Sequence, residues 1–268
     1  MDLIRSAKLI RHQLFHQIVK RGYVFLIIFI SQLFWSGMLL SQEVNTVPTY
    51  PIIKNKEIKN FTVQTGTWDT SFKMTDGTDW NMFVSIPKEI DQQLPLIIAL
   101  HWAGDAVTYR EFFTCLVQPA FKNTNAVVVA PSSNGIHWIF PNNEKRVVRL
   151  VKQLIKYWPI DPKKVVVTGY SNGGISSWQL AKKFPKLFCA AIPMAGSYTL
   201  DPIKIPVYAI HGTKDEVFPL HQVQNQLAQS SKKGSLIKLY KMQRSHYQAC
   251  AYPFKLQEVF EEIKSIHF

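Results

Sequence analysis

Val165-Val166-Val167-Thr168-Gly169-Tyr170-Ser171-Asn172-Gly173-Gly174 sets a β-branched run against a serine flanked by glycines. The valines and Thr168 favour an extended strand, and from Gly174 to Phe184 the pattern turns helical. A Gly-x-Ser-x-Gly lodged between strand and helix is a sharp, strained turn. It needs small neighbours so that the helix can pass close to the strand, and it lifts the serine Oγ above the sheet edge. Ser171 is therefore the candidate nucleophile. The same turn aims a helix N-terminus, and with it the Asn172 N–H, at the point where an oxyanion would form.

Outward from this turn, short apolar runs rich in Val and Ile alternate with amphipathic stretches. The runs at 96–100, 126–130, 164–168, 190–194, 207–210 and 236–240 read as buried parallel strands. Between them, 109–121, 143–158, 174–184, 219–230 and 252–266 read as helices. In the second of these, Val147, Val148, Val151, Leu154 and Ile155 recur at helical spacing against Arg146, Lys152 and Lys156. Upstream, 61–63, 71–74 and 80–86 read as short antiparallel strands, with Asp76 and Gly77 turning between the last two. The implied fold is α/β, a doubly wound, mostly parallel sheet with helices on both faces. Only 195–206 separates the strand after the serine helix from the next, so no cap domain is expected there.

Ends of strands then supply the remaining chemistry. After the run at 207–210 come His211, Gly212, Thr213, Lys214, Asp215 and Glu216, and Asp215 is the candidate acid, with Glu216 its neighbouring competitor. After 236–240, His246 is the candidate base, which the acid would hold in one tautomer. After 96–100, the loop His101, Trp102, Ala103, Gly104, Asp105 offers a backbone amide at Ala103 as a second oxyanion donor. His101 and His211 read as structural. Trp102, Trp138, Phe218 and Tyr247 are candidates to line an open cleft.

The ends of the chain carry other information. With 268 residues, 47% hydrophobic and 18% charged, the composition is globular and suits one folded domain. The formal net charge is +13, of which Arg5, Lys8, Arg11, Lys20 and Arg21 against Asp2 supply +4. Such a balance favours anionic surfaces without naming one. Zinc-finger spacing, RNP-like aromatic motifs and basic heptads are lacking, so no nucleic-acid partner is expected. Residues 1–22 form a basic region. Residues 23–41, apolar and uncharged, read as a signal-peptide core cut near Ser41 or as a signal anchor, a targeting helix that puts the following domain outside the cytoplasm. The domain is then secreted or periplasmic, or stays in membrane contact through an uncleaved segment. Residues 42–60 read as a linker, and 61–268 as the catalytic domain. Cys115, Cys189 and Cys250 leave two readings open, one bridge with a leftover thiol or three buried thiols.

Over residues 61–268 the chain resembles the α/β-hydrolase superfamily. The stretch from Ile160 to Gly174 is similar to the polyhydroxybutyrate depolymerase and feruloyl esterase branch. The stretch from His101 to Asp105 is similar to the phospholipase/carboxylesterase branch, with Trp102 standing where that branch has glycine. The acid loop from His211 to Pro219 resembles both. The resemblance implies a serine hydrolase that cleaves carboxylic esters through an acyl-enzyme, with Ser171, Asp215 and His246 in the triad's chain order and neither metal nor cofactor. It implies a small-molecule or polymer-borne ester as substrate. A prolyl-oligopeptidase-like peptidase, a thioesterase, or a non-catalytic membrane-tethered binding protein that kept the fold are the alternatives.

Overall fold

The computed structural model describes residues 50–90, 92–197 and 201–268. The expected basic region, the targeting helix at 23–41 and residues 42–49 of the linker lie outside the described residues. Among the described residues no helix is long and apolar enough to cross a membrane.

Nine strands form one sheet: β1 (Ile52–Glu57), β2 (Gly66–Lys73), β3 (Asp79–Ile86), β4 (Leu94–Leu100), β5 (Val127–Pro131), β6 (Ile160–Tyr170), β7 (Ala190–Met194), β8 (Val207–Gly212) and β9 (Ile237–Met242). Their order is β1-β2-β3-β5-β4-β6-β7-β8-β9. From β5 to β9 every pairing is parallel, and β3 is antiparallel to both β2 and β5. Two expectations are corrected at the N-terminal edge. Residues 61–63 are not a strand, and the segment read as linker contributes β1, paired parallel to β2, followed by a 3₁₀ turn at Ile58–Asn60. The Lys and Asn of β1 gave it no alternating pattern, because pairing on a single edge constrains side chains less than burial on two faces. The turn between β2 and β3 is as expected: Gly77 takes φ +79°, and Asp76 accepts hydrogen bonds from the Thr78 N–H and hydroxyl.

The helical stretch after β4 comprises α1 (Thr108–Phe112), a π-helical turn (Phe113–Val117) and α2 (Gln118–Phe121). It packs on one face of the sheet together with α6 (Pro253–His267). On the other face lie α3 (Pro141–Tyr157), α4 (Asn172–Lys183) and α5 (Leu220–Lys232). Helix α3 shows how the period makes the layer, since Val147, Leu150, Val151 and Leu154 are buried while Lys145, Lys152 and Lys156 are exposed. Strands β5, β7 and β8 are buried throughout, as expected of a sheet covered on both faces. Strand β9 differs from the expectation of burial: as the sheet's edge it is only half-buried.

The order of strands positions the site. The connection leaving β4 runs to β5 over one face and that leaving β6 runs to β7 over the other, in opposite directions along the sheet, so a crevice opens at the carboxyl ends of the adjacent β4 and β6. The loop after β4 and the turn after β6 meet there.

Cys115 and Cys250 form a disulfide that closes a separation of 135 residues, and Cys189 stays free. The bridge joins the π-helical turn to the 3₁₀ turn at Ala249–Ala251, four residues past His246. Closing so long a loop restricts the unfolded chain, a contribution of about 2–4 kcal/mol. Replacing both cysteines by alanine is expected to lower the free energy of urea unfolding by that amount under non-reducing conditions. Unchanged unfolding would show that the bridge does not hold this edge.

Candidate active site

Ser171 sits between β6 and α4 with φ +52° and ψ −114°, a backbone conformation that L-residues rarely adopt. Its N–H bonds to the Met194 carbonyl at 2.9 Å, and its own carbonyl accepts the Ile175 N–H at 2.9 Å. The turn is thus tied to β7 on one side and to the first turn of α4 on the other, so the strain is held by the surrounding structure. Asn172 opens α4, where the first N–H groups have no partner within the helix.

His246, buried at 3% exposure, lies 2.9 Å from the Ser171 Oγ through Nε2 and 2.9 Å from Asp215 Oδ2 through Nδ1. Donation from Nδ1 to the carboxylate leaves Nε2 unprotonated and able to accept the serine proton. The other carboxylate oxygen, Asp215 Oδ1, accepts the N–H groups of Val217 at 3.0 Å and Phe218 at 2.7 Å. Asp215 is therefore buried but fully hydrogen-bonded, with one oxygen on its own loop and one on the imidazole.

The loops that carry Asp215 and His246 are stitched together by their backbones. The Thr213 N–H bonds to the Met242 carbonyl at 2.7 Å, and the Lys214 N–H to the Arg244 carbonyl at 3.1 Å. Two further side chains grip His246. Glu216 Oε2 accepts the His246 N–H at 3.0 Å, and the Tyr170 hydroxyl donates to the His246 carbonyl at 2.8 Å. Burial raises the Tyr170 pKa, which keeps this donor protonated. Neither role was read from the sequence. Tyr170 precedes the serine within the motif, and Glu216 adjoins the candidate acid as its competitor, so position marks both residues without revealing what they bind.

On the β4 side, His101 is completely buried and joins two loops. The Ser133 N–H donates to its Nε2 at 2.9 Å, which puts the ring proton on Nδ1, 2.5 Å from the Trp102 carbonyl. Burial lowers its pKa to about 4. A depressed histidine pKa means that the folded state resists protonation, so the stability it provides is complete above about pH 6.5 and is lost as pH falls toward 4. The loss expected over this window is about 3 kcal/mol. Urea unfolding between pH 7.5 and pH 4 would measure it, and a His101→Asn variant should show a shallower dependence. His211 is likewise structural: it is buried, donates from Nε2 to the Phe218 carbonyl at 2.8 Å, and has a pKa lowered by desolvation.

Among the expected cleft residues the structure separates one from the rest. Trp138 is a correction: at 2% exposure it is core, its Nε1 donating to the His101 carbonyl at 2.9 Å and its backbone N–H to Asn172 Oδ1 at 2.9 Å. An indole N–H inside a protein needs an acceptor, and the carbonyl at the end of β4 draws this one inward. The Asn172 amide nitrogen lies 3.0 Å from His137 Nδ1, so the 132–140 loop is clasped between the β4 loop and the serine turn. Trp102 is partly buried against Phe112 and Tyr170. Phe218 and Tyr247 meet the His246 ring edge-on at 5.4 and 5.7 Å, and Tyr247 is 54% exposed. Ala103 is exposed in the loop after β4. Among the described residues no cluster of three or more His, Cys, Asp or Glu side chains is arranged to hold a metal ion.

A doubly wound sheet with Ser171, Asp215 and His246 following β6, β8 and β9 is the α/β-hydrolase fold. Residues 135–242 match the Dienelactone hydrolase family. A bifunctional acetylxylan esterase/xylanase, XynS20E, from Neocallimastix patriciarum is 24% identical over 160 residues, which cover 57% of this chain and 24% of that protein. Feruloyl esterase B from Thermothelomyces thermophilus is 24% identical over 132 residues, 44% of this chain and 45% of its own length. The chain thus spans between about a quarter and a half of the length of these curated relatives. Among solved structures, a thermostable esterase superposes with a TM-score of 0.61 at 21% identity, covering 73% of this chain and 61% of that one. The fluorophosphonate-binding serine hydrolase FphF of Staphylococcus aureus gives 0.62 at 12% identity, covering 77% and 100%.

Proposed function

We propose that this protein hydrolyses carboxylic esters through an acyl-enzyme formed on Ser171. The observation that carries the reading is the continuous hydrogen-bonded run from the Ser171 hydroxyl through His246 to Asp215. In the first step the Ser171 Oγ adds to the ester carbonyl while His246 Nε2 takes its proton. Asp215 keeps the imidazole in the required tautomer and offsets its charge. Backbone amides at Asn172 and Ala103 stabilise the oxyanion. The imidazolium then gives its proton to the departing alcohol, which leaves an acyl-serine. Water, deprotonated by the same nitrogen, frees the acid and restores the hydroxyl.

Esters carried on a polymer suit this site, because relatives include proteins named acetylxylan esterase, feruloyl esterase and poly(3-hydroxyalkanoate) depolymerase. Trp102, Phe218 and Tyr247 would then line the cleft, with Tyr247 offering an exposed ring. The same reading has residues 23–41 direct export, so that the domain meets extracellular or periplasmic polymers. The test is labelling of the full chain by a fluorophosphonate probe, together with turnover of a panel of acetyl, feruloyl and longer acyl esters. Folded wild-type protein that neither labels nor turns over any of these esters would refute the proposal.

A further inference from the structure

A cationic stripe of the described surface lies apart from the Ser171, His246 and Asp215 side chains. Lys145, Arg149, Lys152 and Lys156 recur on α3 at intervals of four, three and four residues, which puts all four on one stripe of the helix. Beside the stripe runs a groove of about 460 Å³, lined by these side chains together with Val148, Tyr157 and Phe184. Arg149 pairs with Asp76, and Gln153 bonds to the Thr75 hydroxyl at 3.2 Å, so the β2–β3 turn is pinned as one wall. The three lysines differ. They are exposed, and among the described residues no carboxylate pairs with them. Lys156 instead stands 5.0 Å from the centre of the Tyr157 ring.

Three uncompensated cations beside these apolar side chains attract a ligand of opposite pattern, anionic at its edge and apolar on its faces. We propose that this groove binds an acidic polysaccharide, one whose uronate carboxylates meet Lys145, Lys152 and Lys156 while its ring faces lie on Val148, Tyr157 and Phe184. The choice of polysaccharide rests on the ester-hydrolase reading above, in which the scissile ester is borne on a polymer. The feature itself also favours it. A bilayer surface is met by several apolar side chains that stand clear of the surface, whereas here only the Tyr157 ring is exposed and Val148 and Phe184 are partly buried. Helix α3 starts at the loop that clasps Asn172, and Lys145 is four residues, or about 6 Å of rise, from its first residue. A polymer chain held along the stripe is thereby led toward the crevice that contains Ser171.

The test uses the full chain carrying Ser171→Ala, so that binding is read without turnover, with polygalacturonate as the probe and dextran as the neutral control. Polygalacturonate should bind and dextran should not. The triple variant Lys145→Gln, Lys152→Gln, Lys156→Gln should lose about tenfold or more in affinity at low ionic strength. Tyr157→Ala should weaken binding while leaving its salt dependence intact. In an otherwise wild-type background, the triple variant should hydrolyse 4-nitrophenyl acetate as the parent does. Equal retention of the triple variant, equal binding of dextran, or tighter binding of duplex DNA or phosphatidylglycerol vesicles through the same lysines would overturn the proposal. If wild type shows no esterase activity but lysine-dependent binding of polygalacturonate persists, the hydrolase reading falls and the groove stands.

Discussion

Ser171→Ala is expected to lower kcat/KM toward 4-nitrophenyl acetate by about four to six orders of magnitude, and to abolish labelling by a fluorophosphonate. The magnitude follows from how the group acts. In the proposed mechanism the hydroxyl oxygen bonds to the acyl carbon, and an alanine methyl offers His246 no proton to take. What remains is stabilisation by the oxyanion amides, which aid attack by water to a far smaller extent. Stability should barely change. Ser171 keeps its backbone bonds to Met194 and Ile175, and the substitution loses only the bond from Oγ to the imidazole, about 1 kcal/mol. An alanine at φ +52° is no more strained than the serine it replaces. The far-ultraviolet spectrum and the urea midpoint should therefore stay close to wild type. Undiminished labelling of the variant would mean that another nucleophile reacts, and the assignment of Ser171 would be lost.

Much of this architecture was legible because burial on two faces leaves a strong signature. Strands β4 to β8 each carry a run of Val, Ile, Ala or Leu that no amphipathic helix would tolerate, and each was found within a few residues of its observed bounds. Candidate residues were read from position: a serine at a strand-to-helix turn, an aspartate after β8 and a histidine after β9. The structure brings those three side chains together. What escaped was structure made by pairing rather than by pattern. Strand β1 has no periodicity to read, since a strand on the sheet's edge is held by backbone bonds to β2. The inward position of Trp138 is hidden from the sequence for a related reason. An aromatic residue in a strand-end loop looks the same in sequence whether it faces a cleft or is drawn inward, and only the nearness of the His101 carbonyl decides between them. The roles of Glu216 and Tyr170 were hidden because each acts on the backbone of His246, and a contact to a main-chain atom leaves no mark on the partner's identity.

Among the described glycines, Gly173→Ala should be the most damaging replacement by alanine. A Cβ built on Gly173 would lie 1.9 Å from the Leu100 carbonyl oxygen and 2.8 Å from that of His101, both backbone atoms at the end of β4. Alanine ordinarily favours a helix over glycine by about 1 kcal/mol. Here that gain is small beside the overlap, because neither carbonyl can rotate away. Leu100 is buried and its strand is paired on both sides, with Ile98 opposite Val129 of β5 and Leu100 itself opposite Gly169 of β6. The start of α4 must then lift off the sheet, and Asn172 and Ser171 must move with it. A displacement of about 1 Å at the reacting centre costs on the order of 10²-fold in rate, and a misaimed oxyanion amide costs a comparable factor. Activity toward 4-nitrophenyl acetate should accordingly fall by about 10²-fold or more, accompanied by about 1–3 kcal/mol of destabilisation from overpacking. Comparing the variant with wild type well below its melting temperature separates lost activity from lost fold. If Gly173→Ala retained wild-type kcat/KM, the close approach of α4 to β4 would not be what aims the serine turn.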